Sequence, residues 1–193
     1  MPRRRPAPRS RVRSNRRPRS PAAAWEAHTR AEFVAHDVDA TMRTMTARPH
    51  NLHLPTLAGG ASRSEIRTFY RRHFIPDLPD DIRLELLSRT VDRDRVVDEF
   101  ILEFTHDRPM DFIFPGIAPT GRWVSLPTVA IVGLKDGRVD YEHIYWDQAS
   151  ALRQIGKLDA RGLPVVGSEA SERLRQLLRP RARRRPTRRR SAR

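Results

Sequence analysis

The sequence predicts an α+β fold: a cone-shaped, curved antiparallel β-sheet packed against N-terminal helices. Three observations predict it. Apolar residues recur at helical spacing in the first part of the chain, over 22–46 and again after residue 62. Extended segments with stretches of strict alternation follow from 82 to 147. A hairpin signal, Lys135-Asp136-Gly137, joins the last two of them. Helices that precede a run of strands pack on one face of the sheet instead of alternating with parallel strands. The concave face of such a sheet is a natural ligand pocket.

Each element has a local reason. Residues 22–46 place Trp25, Ala31, Phe33 and Val34 on a shared face, then Val38, Met42 and Met45 at i, i+4 and i+7. His36-Asp37 breaks this segment into two helices. Pro49 and Pro55 bound a short strand, and Gly59-Gly60 makes a turn. Ser62 and Glu65 form a capping box. The helix behind it carries Ile66, Phe69, Tyr70 and Phe74 inward and an Arg-rich face outward. Strands are expected over 82–91, 95–106, 122–134 and 138–147, in a sheet of roughly four to six strands with three helices over its concave side. Phe100, Leu102, Phe104 and His106 share one face of their strand, and Asp98 has the same parity. On the last strand Glu142, Ile144 and Trp146 share one face. Tyr141, His143, Tyr145 and Asp147 share the other. A short helix ends at Gly156, and 168–178 is a final amphipathic helix. The apolar loop over 110–121 suits a pocket lid or a contact with a partner subunit.

Composition sets the outer limits. The chain has 193 residues and a formal net charge of +15. Residues 1–20 and 179–193 each hold nine Arg and no acid, which leaves 20 basic against 23 acidic residues between them. The folded part is therefore not itself basic. The Arg/Pro/Ser tails lack apolar periodicity and read as disordered. They suit nonspecific contact with nucleic acid or another polyanion, although they offer no aromatic residue to stack on bases. There is no Cys, so no disulfide framework and no thiolate metal site. No apolar run reaches the ~18 residues of a membrane span, and no apolar h-region follows the basic start. The chain reads as soluble and cytoplasmic, with no membrane contact.

A set of ordered motifs carries a resemblance. His53-Leu54-Pro55 ends the first strand, and Gly59-Gly60 leads into Ser64-Glu65-Ile66. Lys135-Asp136-Gly137-Arg138-Val139 precedes Glu142-His143 and Trp146-Asp147, and Leu152-Arg153-Gln154-Ile155-Gly156 closes the series. In this order they resemble the nuclear transport factor 2-like superfamily, and within it the SnoaL-like polyketide cyclases, over about residues 25–157. The domain organisation is then a tail over 1–20, a SnoaL-like domain over 21–160, a linker and helix over 161–178, and a tail over 179–193. The resemblance implies a homodimer through the convex sheet face and no cofactor. It implies proton-transfer chemistry on a small hydrophobic carbonyl ligand: cyclisation, isomerisation or lactone/ester-type conversion. Ketosteroid isomerases of the superfamily carry two acids that this chain lacks, since Leu54 and Ala130 stand at those places. The alternative is a non-catalytic ligand-binding or dimeric assembly module on the same fold.

The candidate site residues follow. Asp147 matches the cyclase acid, and it also stands where an N-cap would. His106 suits a base or a carbonyl-polarising group, or else a core histidine. His53, Glu142, Trp146, Phe104 and Tyr145 are candidate ligand contacts. Glu142 would be a second carboxylate if it points inward and a surface or interface ion pair if it does not. No metal site is expected, because His50 and His53 fall on opposite faces of a strand.

Overall fold

A computed structural model describes residues 20–178. The Arg-rich tails lie outside the described residues except for Ser20. That residue accepts a hydrogen bond from the Ala23 amide and caps the first helix, with Pro21 in its first turn. Helix α1 (Pro21–Phe33) and helix α2 (Val38–Thr44) are separated at His36, which sits at φ 48°, and Asp37 caps α2. The expected helix to residue 46 stops earlier. Met45 is already extended and opens strand β1 (Met45–His53). Pro49 therefore lies inside β1 and does not bound it. The pairing register shifts between Met45 and His50, and a proline fits such an irregularity.

Gly59-Gly60 is not a free turn but part of a short strand, β2 (Ala58–Gly60), antiparallel to β1. Gly59 has φ +128°, and a Cβ there would meet the Asn51 carbonyl oxygen at 2.1 Å. Helix α3 (Arg63–Phe69) starts on the expected cap: Ser62 accepts from the Glu65 amide, and Glu65 accepts from the Ala61 amide. A π-helical turn at Tyr70–Phe74 continues it. Strands β3 (Arg83–Val91), β4 (Arg95–Thr105), β5 (Trp123–Lys135) and β6 (Arg138–Trp146) then form. Asp136 and Gly137, both at positive φ, make the β5–β6 hairpin. Helices α4 (Gln148–Gln154) and α5 (Glu169–Leu178) end the described chain.

The six strands lie in one curved, open sheet of order β2-β1-β6-β5-β4-β3. The sheet is mixed, which corrects the expectation of an all-antiparallel one: β1 runs parallel to β6. The sixth strand comes to lie beside the first, so those two neighbours are far apart in sequence. This pairing sets Asn51 opposite Glu142, and Asn51 and Glu142 both line the concave side. The core fills the space between α1–α3 and that side. The loop after β4 closes it with Met110, Phe112, Ile113 and Phe114, all buried. Thr56 donates to the Phe112 carbonyl and Gln148 to that of Ile113, so the loop is a fastened wall within the chain. Among the described residues no helix is long and apolar enough to cross a membrane.

Candidate active site

Between α1 and the concave face lies a cavity of about 510 Å³. Aromatic side chains dominate its wall, among them Phe33, Phe74, Phe100, Phe112 and Trp146. Val34, Leu84 and Leu86 line it while staying exposed, which marks the mouth.

At the inner end two carboxyl groups meet one imidazole. His28 Nε2 lies 3.0 Å from Glu32 Oε1 and 3.0 Å from Glu142 Oε1. His28 is 0% exposed, and both acids are buried while still lining the cavity. Helix periodicity explains the first pair: Trp25, His28 and Glu32 stand at i, i+3 and i+7 of α1, on the stripe facing the sheet. Glu142 comes from β6, on the same strand face as Ile144 and Trp146.

The surrounding groups define protonation states. Thr44 donates its hydroxyl to the Thr41 carbonyl at 2.6 Å, so its oxygen accepts from His28 Nδ1–H, also at 2.6 Å. Tyr70 donates to Glu142 Oε1 at 3.1 Å, and Asn51 Nδ2 donates to Glu142 Oε2 at 3.2 Å. Burial opposes the charge on His28, but the two acids, Glu32 and then Glu142, outweigh it and push the imidazole up to about 10. Burial also opposes ionisation of Glu142; the His28 charge and hydrogen bond overcome it and hold that carboxyl below its usual range. Glu32 goes the other way, raised first by burial and then by the Glu142 charge. Two neighbouring acids are thus driven apart, one toward the carboxylate and one toward the protonated acid.

Beside them stands His53, buried among Phe69, Phe74, Phe112 and Trp146. Burial lowers its pKa to about 4, so the ring is neutral at pH 7. Its Nδ1 has no hydrogen-bond partner in the chain. Such an atom is poised for a ligand.

A second polar pole lies toward the mouth. Arg89 binds Asp98 through two bonds of 2.7 and 2.8 Å, and Trp25 Nε1 donates to Asp98 at 2.7 Å. Glu26 takes the remaining Arg89 Nη1 at 2.7 Å. The register pairs Asp98 with Ala130 across β4 and β5.

Of the residues singled out in the sequence, His53, Glu142 and Trp146 come together in the cavity lining. Four others lie outside it. Asp147 caps α4, accepting from the Ala149 and Ser150 amides at 2.9 and 3.2 Å, and it is exposed. Tyr145 faces the opposite side of the sheet and is 40% exposed. Phe104 is a core residue against Phe114. His106 is fully buried at the root of the 107–121 loop. Its carbonyl accepts from the Thr120 and Gly121 amides, and its ring packs on Phe114 at 4.7 Å. Burial lowers its pKa, so it serves as a neutral fastener of that loop. The residues that sequence reasoning missed are His28, Glu32, Asn51 and Tyr70. The signal for the first two was the His28-x-x-x-Glu32 spacing behind Trp25.

Comparison with known proteins agrees with this architecture. The SnoaL-like domain family matches residues 24–142, and the chain belongs to that family. No curated protein sequence matches it. Among solved structures it is similar to a protein from Jannaschia sp. CCS1 described as a SnoaL-like polyketide cyclase. The two share 22% identity over 73% of this chain and 98% of that one, with a TM-score of 0.57. TsrD from Streptomyces laurentii is 21% identical over 71% of this chain and 95% of its own, with a TM-score of 0.56. An NTF2-like protein from Burkholderia thailandensis E264 is 17% identical over 71% and 98%, with a TM-score of 0.54. Identities this low establish the fold.

Proposed function

We propose that this chain is a SnoaL-like enzyme that moves protons on a carbonyl compound held in the apolar cavity, with Glu142 and Glu32 as the working pair. The observation that carries this reading is the split pair of buried acids sharing His28 at the cavity wall. Glu142, as carboxylate, takes a proton from the carbon next to the carbonyl. Glu32, as acid, gives its proton to the developing enolate oxygen. His53 is neutral and its Nδ1 is unpartnered, so this nitrogen is left to meet a polar group of the ligand. His28 Nε2 lies 3.0 Å from both acids, so after turnover the protonated ring can give its Nε2 proton to Glu32 and then take the one on Glu142, which resets the pair. The aromatic wall offers apolar faces against which a flat, conjugated ligand can stack.

The test is exchange of α-protons into D2O, followed by NMR, for cyclic 1,3-diketones and aromatic methyl ketones. The expected result is exchange above the buffer rate with the native chain and a loss of ~100-fold or more in Glu142→Gln. Circular dichroism shows whether that variant is folded. A second reading has its own support. Asp147, the acid that the family resemblance points to, caps a helix and faces water. A non-catalytic ligand-binding module would bind the same ketones, seen as shifted ligand resonances, with no exchange above buffer.

A further inference from the structure

We propose that His28, Glu32 and Glu142 form a binding site for a divalent first-row transition ion of the zinc class, which enters in place of protons. The donor set is one imidazole nitrogen and two carboxylate oxygens, and these atoms all lie within 4.8 Å of one another. A tetrahedral ion with ligands at ~2.0–2.2 Å separates neighbouring ligand atoms by roughly 3.3–3.5 Å. The two nitrogen–oxygen separations here are 3.0 Å, so each has to open by only a few tenths of an ångström, and the two carboxylate oxygens lie within 4.8 Å of each other. An imidazole ligand favours this class over magnesium or calcium, which take oxygen donors.

The outer shell is the kind a metal ligand needs. His28 Nδ1–H is tied to Thr44, and Thr44 to the Thr41 carbonyl. That chain fixes the ring and leaves Nε2 to aim at both acids. Glu32 and Glu142 line the cavity while His28 lies behind them, so a fourth coordination position faces the cavity.

Charge balance suits a divalent ion. A neutral imidazole and two carboxylates around it leave no net charge in the buried site, and whatever protons the three ligands hold leave as it binds. The other groups facing the cluster do not supply the protons. Tyr70, from the π-helical turn, is held protonated by burial and by both acids. His53 on β1 is already neutral, and Asn51 on β1 and Thr44 on α2 do not titrate. The inference shares residues with the proton-transfer reading but does not rest on it, since a bound ion would occupy both carboxylates and block that chemistry.

The experiment is isothermal titration of the full chain with zinc chloride at pH 7 and 8, in two buffers of different ionisation enthalpy. It uses a His143→Ala background. His50 and His143 lie Nε2 to Nε2 at 3.0 Å on the outer sheet face and offer zinc a separate seat. The expected result is one ion per chain, release of between one and two protons, and affinity rising ~10- to 100-fold per pH unit. Glu32→Gln, near-identical in shape, is expected to weaken binding more than tenfold. Cobalt(II) gives a readout that needs no variant in the site: intense visible bands of a low-coordinate N/O complex. Absence of binding in the His143→Ala background, binding without proton release, or the spectrum of the hydrated cobalt ion would each overturn the proposal. Proton exchange on the ketones is measured without metal, so either idea can fail alone.

Discussion

The His28 cluster makes stability depend on pH in a direction opposite to that of most buried histidines. Its imidazole is raised from 6.5 to about 10 in the folded chain. Each unit of displacement is worth roughly 1.4 kcal/mol, so the whole shift corresponds to about 5 kcal/mol. The folded pKa lies above the unfolded one. The contribution is therefore complete below pH 6.5 and drains away as pH rises toward 10. Between pH 6.5 and 9 the loss is on the order of 3 kcal/mol, a large share of a domain's stability. The perturbation is His28→Gln, which keeps a donor at about the same place but does not titrate. Urea denaturation with EDTA present, at half-unit steps from pH 6.5 to 9, gives the two profiles. The native chain should lose about 3 kcal/mol more than the variant across that range. Parallel profiles would refute the reasoning. So would an NMR titration in which the His28 ring loses its proton below pH 7, and that second measurement needs only the native protein.

Three further predictions concern single positions. Asp147→Ala removes two amide contacts at the start of α4 and should cost about 1 kcal/mol in urea denaturation, while ligand binding in the cavity stays unchanged. His53, lowered from 6.5 to about 4, binds its proton less well folded than unfolded; stability is therefore lost as pH falls from 6.5 toward 4. His53→Phe should abolish that part of the acid sensitivity, seen as a Tm that no longer falls over this range on its account. Gly59→Ala sets a Cβ against the Asn51 carbonyl at a φ of +128°, and should destabilise by roughly 2–3 kcal/mol or prevent folding, as read from soluble yield and Tm.

Legibility in the sequence followed the range of the interactions. Strands β3 to β6 and their hairpin were readable within a residue or two because alternation and the Asp136-Gly137 turn are local properties. The Ser62–Glu65 box and the Gly156 stop were readable for the same reason. The parallel β1–β6 pairing was not, since it depends on a contact between segments about ninety residues apart, and the Gly59 strand was not, since its three residues form a strand only by pairing with β1. The site shows the same division. Glu142 and Trp146 share a strand parity that the sequence displays, and His53 stands at a strand end, where the family resemblance puts a ligand contact. His28 and Glu32 looked like ordinary polar residues on a weakly patterned helix, and only the sheet they face turns them inward.

Asp147 illustrates how one sequence position can satisfy two physical descriptions until the backbone decides. A carboxylate directly after a strand and directly before a helix is both a group at the pocket end of the sheet and an N-cap. The Ala149 and Ser150 amides are unpaired donors by virtue of helix geometry, and Asp147 reaches both without leaving its own turn. Turning inward would abandon those donors and desolvate a charge. Glu142 lies five residues earlier, on the strand face that already points into the cavity, and three donors from α1, β1 and the π-helical turn meet it there. The acid of the cavity thus sits where buried hydrogen bonds can hold an ionised group.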